Sequence, residues 1–427
     1  MQLRVNFQEE KDMTDTRMIN ADAKQYIEAH WEECIRSNHK DCGTLIGVPY
    51  PYIVPAVGHF DELFYWDTYF TNKGLELSDR WQQAKYNVDN MLYLTDRYGY
   101  MPNGNRTYYL NRSQPPFLSL MVKDIYEHFQ DPVWLKSAYE VLEKEYAFWM
   151  SKRICPLGLN IYGGKRAEEL SEEARELTER IGEVPGVGEH ALGEHFLACA
   201  ESGWDFNGRW NIEAVNFIPV DLNALLYQME KTMEYFSAEL GIPSKIWRER
   251  AEKRKCLMEQ YLRTEKGIYT DYNYVTGRYS DLFSAASYYP LFAGLVSSDD
   301  AQVAVDELRR LEAAYGIAAA EKKEGAGSSR SYQWGYPNGW PCVQYIVYMG
   351  LDRYGFRNEA KRIAGKYIAV VDINYRETGK LWEKYNVVEG NICVKDEYKM
   401  PPMMGWSAGV YLAAQDYLRS CDEEIMC

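Results

Sequence analysis

The chain has 427 residues, of which 46% are hydrophobic and 26% are charged. These proportions are typical of a globular protein and exclude disordered, collagen-like and coiled-coil classes. The formal net charge of −15 would repel phosphate backbones, so the composition argues against nucleic-acid binding.

The N-terminal stretch and the cysteines predict a cellular location. Residues 1–20 carry seven charges and no apolar run, so we expect a loosely ordered segment without a secretory signal. No apolar run anywhere approaches the roughly 20 residues that cross a bilayer, which predicts no membrane association. The nine cysteines are odd in number and include no Cys-x-x-Cys pair, which indicates reduced thiols and a cytoplasmic protein.

Helical periodicity dominates the rest of the chain. Amphipathic stretches predict helices over 21–38, 80–98, 115–130, 132–154, 219–241, 243–264, 298–314, 338–353, 355–375 and 404–419. Asp131-Pro132 and Gly241-Ile242-Pro243 combine the end of one helix with the start of the next, which favours antiparallel helix pairs. Only 267–280 indicates a hairpin or an extended loop. Since no linker or repeat divides the chain, we expect one all-α domain over 21–427.

Long segments rich in Gly, Pro and aromatic residues separate these helices, at 43–62, 99–117, 155–167, 201–217, 325–341 and 379–403. Loops of this length inside a compact domain are usually functional. Tryptophans accompany polar side chains in or beside them: Trp66, Trp204, Trp210, Trp334, Trp340, Trp382 and Trp406. Flat rings beside hydrogen-bonding groups suit a sugar, with its apolar faces and hydroxyl rim. The charged run 165–180 is instead typical of a solvated helix.

Two acidic residues in these loops are candidates for acid–base chemistry. Asp205 lies between Trp204 and Phe206, where the loss of solvation raises a carboxyl pKa as a general acid requires. A helix cap or an ion pair with Arg209 would explain Asp205 equally well. Glu383 taken alone is typical of an exposed Glu that pairs with Lys384. Glycoside hydrolysis needs two carboxyl groups on opposite sides of one sugar, so the hypothesis concerns the pair.

The sequence contains no motif that indicates a metal site, a serine hydrolase or a nucleotide-binding site. The six histidines include a repeated Gly-Glu-His, but its spacing is not that of a zinc site, and no metal is predicted. The chain contains no G-x-S-x-G, P-loop or G-x-G-x-x-G motif, so no nucleotide or other cofactor is expected.

Five segments then share a family pattern. Residues 57–69 follow Pro-Gly-Gly-Arg-Phe-x-Glu-x-Tyr-x-Trp-Asp-x-Tyr with changes, and 333–340 follow Gln-Trp-Asp-x-Pro-x-Gly-Trp with one change. The strings Pro-Asn-Gly-x-Arg-x-Tyr-Tyr (102–109), Arg-Ser-Gln-Pro-Pro-Phe (112–117) and Glu-Ser-Gly-Trp-Asp-Phe (201–206) match outright. The matching segments occur in the same order as in the family and extend over about residues 50–415. On these segments the chain resembles the trehalases of glycoside hydrolase family 37.

The resemblance implies an (α/α)6 toroid and an inverting hydrolase that cleaves the disaccharide α,α-trehalose to two glucoses without a cofactor. It implies Asp205 as the general acid and Glu383 as the general base that activates water. The substrate-binding positions that it implies are His59, Phe60, Trp66, Asp67, Asn103, Arg112, Ser113, Gln114, Arg166, Glu168, Gly203, Trp340 and Glu397. Nothing in the sequence indicates an oligomeric state.

Three departures from the family pattern leave the substrate open. The Arg of the first signature is His59, the Asp of Gln-Trp-Asp is Gly335, and Glu-Lys-Tyr-Asp has become a string that ends in Asn386. Unpaired hydroxyl partners change discrimination strongly. The alternative is therefore a related inverting α-glycosidase, similar to family 63, that acts on another α-glucoside or a glycosyl-glycerate. A sugar-binding protein with a dead site is disfavoured because both Asp205 and Glu383 are present, and a terpene cyclase because no Asp-Asp-x-x-Asp occurs.

Overall fold

The computed structural model describes residues 23–164, 170–323, 332–395 and 397–426, so the prediction for segment 1–20 lies outside the described residues. The α-helices are α1 (Ala23–His30), α2 (Tyr65–Leu77), α3 (Trp81–Tyr98), α4 (Leu118–Phe129), α5 (Pro132–Lys152), α6 (Ser171–Ile181), α7 (Glu189–Ser202), α8 (Val220–Glu239), α9 (Lys245–Tyr261), α10 (Tyr289–Phe292), α11 (Ser298–Glu307), α12 (Pro341–Arg353), α13 (Arg357–Thr378) and α14 (Gly405–Met426). All strands have two residues: β1 (Ile35–Arg36), β2 (Tyr52–Ile53), β3 (Phe217–Ile218), β4 (Tyr272–Asn273), β5 (Arg278–Tyr279), β6 (Glu312–Ala313), β7 (Gly316–Ile317), β8 (Asn338–Gly339) and β9 (Tyr385–Asn386). They pair antiparallel as β1–β2, β3–β4–β5, β6–β7 and β8–β9.

Six helices form a closed inner ring. Helices α2, α4, α8, α10, α12 and α14 contact one another in that order, and α14 returns to α2. The other ring consists of α1, α3, α5, α9, α11 and α13, which alternate with the inner helices along the chain. This is the expected (α/α)6 toroid, and α6 and α7 form an additional pair between α5 and α8. Among the described helices, none is both long enough and apolar enough to cross a bilayer.

The sequence predicts the six outer helices and four of the inner ones, α4, α8, α12 and α14, but neither α2 nor the short α10. Outer helix α9 buries a single stripe at helical spacing, Trp247, Ala251, Arg254 and Met258, which an amphipathic pattern reveals. Inner helix α2 is buried on almost every face, so its sequence has no such pattern and no helix is predicted over its residues. Helix α7 is not predicted either, because most of its residues are buried as well.

Local signals predicted from the sequence occur in the structure. Asp131 caps α5 by accepting hydrogen bonds from the backbone N–H groups of Val133 and Trp134, with Pro132 in the first turn. Of the hairpin or extended loop predicted over 267–280, the structure shows a hairpin, because β4 and β5 pair within it.

Two glycines allow the inner ring to close. An ideal Cβ on Gly409 of α14 would lie 1.9 Å from the Phe70 carbonyl oxygen of α2, and one on Gly74 of α2 would lie 2.7 Å from Cα of Gly409. The first and last inner helices therefore contact through their backbones, and neither position has room for a side chain.

We expect Gly409→Ala to lower the free energy of unfolding by about 2 kcal/mol or more, since two backbones would have to separate. The matched control is Gly365→Ala on α13, where an added Cβ meets nothing within 4 Å. That variant should gain about 0.5–1 kcal/mol from helix propensity. Chemical denaturation of both variants measures the difference, and equal stabilities would contradict the close contact.

Candidate active site

A cavity of about 420 Å³ opens where the inner helices α2, α12 and α14 begin. The described lining residues include eleven that the sequence predicted: His59, Phe60, Trp66, Asp67, Asn103, Arg112, Gln114, Gly203, Asp205, Trp340 and Glu383. Segments that are far apart in the chain are thus brought to one site.

The remaining predicted positions lie elsewhere. Ser113 is behind the wall, where its N–H donates to Glu201 Oε1 at 2.8 Å and its hydroxyl donates to the Met101 carbonyl at 2.6 Å. Glu397 is next to the wall and accepts a hydrogen bond from the Gln333 N–H at 3.2 Å. Arg166 and Glu168 are outside the described residues.

Asp205 is held in an unusual backbone conformation. Its φ of +34° follows a φ of +71° at Gly203, and an added Cβ on Gly203 would lie 2.6 Å from the Trp66 ring. The turn after α7 therefore needs a glycine and presses the chain against the aromatic wall. Burial raises the pKa of the Asp205 carboxyl above its usual range, although Arg180 and Arg112 oppose part of the increase.

A buried ion-pair network anchors the loop that carries Asp205. The guanidinium of Arg209 donates to both oxygens of Asp271, at 2.8 Å each, and to Asp221 Oδ1 at 2.9 Å. The same group lies 4.8 Å from the Trp204 ring centroid and 4.6 Å from that of Trp210. Arg209 thus pairs with carboxylates below the loop, and Asp205 remains at the cavity wall.

Glu383 is buried, unlike the exposed residue that its local sequence suggests. It does pair with Lys384, whose Nζ donates to Oε2 at 2.7 Å, but both side chains are almost completely enclosed. The Tyr398 hydroxyl donates to Oε1 at 2.6 Å, and the Trp406 indole donates to the backbone carbonyl of Glu383 at 3.0 Å. The carboxylate is therefore fixed in orientation at the cavity wall.

Two further carboxyl groups lie close to this pair. Burial, together with the charges of Glu383 and Asp205, raises the pKa of Asp67 to about 8. Burial and the charge of Asp205 likewise raise the pKa of Glu397 to about 8. Both carboxyl groups therefore hold a proton to a higher pH than an exposed carboxyl group does, which limits the negative charge around the cavity.

Indole rings form one wall. Trp334 and Trp340 stack in parallel with centroids 3.9 Å apart, and Trp406 meets Trp340 edge-on at 5.7 Å. Trp66 lies 5.7 Å from Trp334. These rings offer the flat apolar surface that a sugar face requires.

The structure adds residues that the sequence did not single out. Arg180 lines the cavity and lies over the Phe206 ring, although the charged run that contains it was assigned to solvent. Its position next to the buried stripe of α6 at Leu177 and Ile181 was the available signal. Tyr398 and Gln333 lay in recognised segments, but only their contacts with Glu383 and Asp205 distinguish them.

Of the three departures from the family pattern, only His59 lies among the described lining residues. It is exposed at the rim. Asn386 instead organises a turn, because its side chain donates to the Cys393 carbonyl and accepts from the N–H groups of Val388 and Glu389. Among the described residues, no three His, Cys, Asp or Glu side chains converge as metal ligands would.

Comparisons with known proteins find similar sequences over most of the chain. The family model described as trehalase matches residues 3–418. The chain is 35% identical to a periplasmic trehalase of Xanthomonas oryzae pv. oryzae and 34% identical to a putative periplasmic trehalase of Salmonella typhi, over 95% of this chain in both cases and over 75% and 74% of those proteins.

Solved structures show the same architecture. Neutral trehalase from Saccharomyces cerevisiae is similar with a TM-score of 0.75 at 25% identity, over 94% of this chain and 81% of that one. A GH63 mannosylglycerate hydrolase from Thermus thermophilus is similar in fold, with a TM-score of 0.62 at 18% identity, over 84% of this chain and 95% of that one.

The predicted cytoplasmic location is wrong, because the curated relatives are named periplasmic trehalases. The cysteines do not decide the question. All eight described cysteines are free, and free thiols show only that disulfides are not needed for this fold.

The raised pKa of Asp67 predicts a pH-dependent stability. In the unfolded chain this carboxyl loses its proton near pH 4, whereas in the folded protein it keeps the proton until about pH 8. The folded state then binds more protons, so stability falls as the pH rises between these values. We expect Asp67→Asn to raise the Tm, relative to the wild type, more at pH 8.5 than at pH 5.5.

The control for this measurement is Asp299→Asn, which replaces an exposed carboxylate on α11. Its effect on the Tm should be small and equal at the two pH values. An Asp67→Asn effect that is also independent of pH would show that Asp67 is ionised throughout.

Proposed function

The chain belongs to the trehalase family of glycoside hydrolases, and on that basis we propose that it hydrolyses α,α-trehalose to two glucoses with inversion of configuration. The observation that carries the proposal is the presence of Asp205 and Glu383 in the wall of one cavity that also has an indole face. Their surroundings differ in the way that an acid and a base require.

Asp205 is the general acid in this proposal. Its raised pKa keeps a proton available, and that proton passes to the glycosidic oxygen as the bond from this oxygen to the anomeric carbon breaks. Arg112 and Arg180 favour the carboxylate that remains. The first glucose leaves with the proton that Asp205 has lost.

Glu383 is the general base. It accepts a proton from a water molecule while the water oxygen bonds to the anomeric carbon from the side opposite the leaving group. The ammonium of Lys384 and the hydroxyl of Tyr398 hold the carboxylate in one orientation, which supports a fixed line of attack. Asp205 regains a proton from solvent and Glu383 releases one before the next cycle.

We expect one β-glucose and one α-glucose from each trehalose before mutarotation, and NMR at early times distinguishes the anomers. Asp205→Asn and Glu383→Gln should each lower kcat by about 10²–10⁴-fold, because each loses one proton transfer. Two α-glucoses would indicate a retaining mechanism. Wild-type turnover by either variant would remove that residue from the proposed site.

His59 is the position where specificity for the second sugar can differ. An Arg here would offer a permanent cation with five N–H donors, whereas His offers at most two. We expect His59→Arg to lower the KM for trehalose by a few-fold to tens of fold, with kcat nearly unchanged. Initial-rate kinetics measure the effect.

The matched control is His190→Arg, an exposed position on α7 outside this cavity, which should leave KM unchanged. If the KM of the wild type for trehalose is already low and His59→Arg does not lower it further, His59 is compatible with tight binding of trehalose.

A further inference from the structure

Gln333 lies directly behind the acid. Its side chain is completely buried, and Nε2 donates a hydrogen bond to Asp205 Oδ2 at 3.2 Å. This contact joins the segment before α12 to the loop after α7, which are 128 residues apart in the chain.

The backbone of Gln333 is held on both sides. Its N–H donates to Glu397 Oε1 at 3.2 Å. Its carbonyl accepts from Asn338 Nδ2 at 2.9 Å and from the Trp340 indole at 3.0 Å. Three contacts that do not involve Asp205 therefore fix the backbone that carries the amide, and burial leaves the side chain little room to follow a displaced carboxyl group.

Stability alone does not account for this side chain. The oxygen Oε1 of the same amide is buried and has no hydrogen-bond partner among the described residues. A buried polar atom without a partner costs free energy, so a half-used amide is a poor structural support. Within the described part of the chain, the nitrogen of the amide donates only to Asp205, which is the proton donor in the proposed function.

We propose that Gln333 is a positioning residue for proton transfer, which holds Asp205 so that its acidic proton resides on Oδ1. An amide N–H donates more strongly to the unprotonated oxygen of a carboxyl group. A donor on Oδ2 thus leaves Oδ1 to carry the proton and fixes its direction. The inference rests on the proposed function, because it assumes that Asp205 is the general acid.

The test compares two substrates that differ in their need for the acid. Trehalose must receive a proton on its departing oxygen, whereas α-D-glucosyl fluoride releases fluoride with little help from an acid. We expect Gln333→Met, which keeps the length and loses the donor, to lower kcat on trehalose by about 10–100-fold. On α-D-glucosyl fluoride it should lower kcat by less than about threefold, with small changes in KM for both.

A matched control is Gln344→Met on α12, which removes another buried Gln whose amide bonds only to the backbone of Ile317 and Trp340. Its ratio of the two kcat values should equal that of the wild type. If Gln333→Met does not fold, Gln333→Leu, which is also apolar and lacks the donor, should show the same selective loss on trehalose.

A loss of the same factor on both substrates would mean that Gln333 only supports the fold, and the inference would be wrong. A Gln333→Met variant with wild-type kcat on both substrates would also overturn the inference. The proposed function has a separate test, which is hydrolysis of trehalose by the wild-type enzyme. The role of Gln333 is tested by how the variant changes the ratio of kcat on trehalose to kcat on α-D-glucosyl fluoride.

Discussion

The closure of the inner helix ring is the constraint on which the site depends. Helices α2 and α14 meet backbone to backbone at Gly74 and Gly409, which brings their first turns together at the cavity. Trp66 on α2 and Trp406 on α14 then meet edge-on at 5.8 Å, and the Trp406 indole holds the backbone of Glu383. Glu383, the proposed base, is thus attached to the contact between α2 and α14, and we expect any loosening of that contact to move it.

Asp205, the proposed acid, is supported by other parts of the fold. Asp205 follows the α6–α7 pair, which is additional to the two rings. Arg209 fixes its loop to Asp221 of α8 and to Asp271, the residue before β4. The cations Arg112 and Arg180 approach Asp205, while Lys384 is committed to Glu383. This separation gives two carboxyl groups in one cavity different electrostatic surroundings, which is what opposite roles in proton transfer require.

Sequence patterns predicted the helices whose apolar residues recur at helical spacing and the site residues that lie in contiguous motifs. The outer helices, the inner helices α4, α8, α12 and α14, and most site residues belong to this class. Helix α2 was not predicted because burial on all sides removes its periodicity, and Arg180 was not because its role arises only when α6 packs against the loop at Phe206. The burial of the Glu383–Lys384 pair likewise depends on Tyr398 and Trp406, which come from other segments. The location could not be predicted because free cysteines are compatible with more than one compartment.

The parallel indoles of Trp334 and Trp340 have a consequence for spectroscopy. At a centroid separation of 3.9 Å and an interplanar angle of 1°, we expect their excited states to couple and to contribute to the near-ultraviolet circular dichroism of the protein. Both rings line the cavity, so we expect a sugar that contacts them to change the emission and the dichroism without any added dye. The stacked pair would then serve as a built-in optical reporter of ligand binding in this cavity.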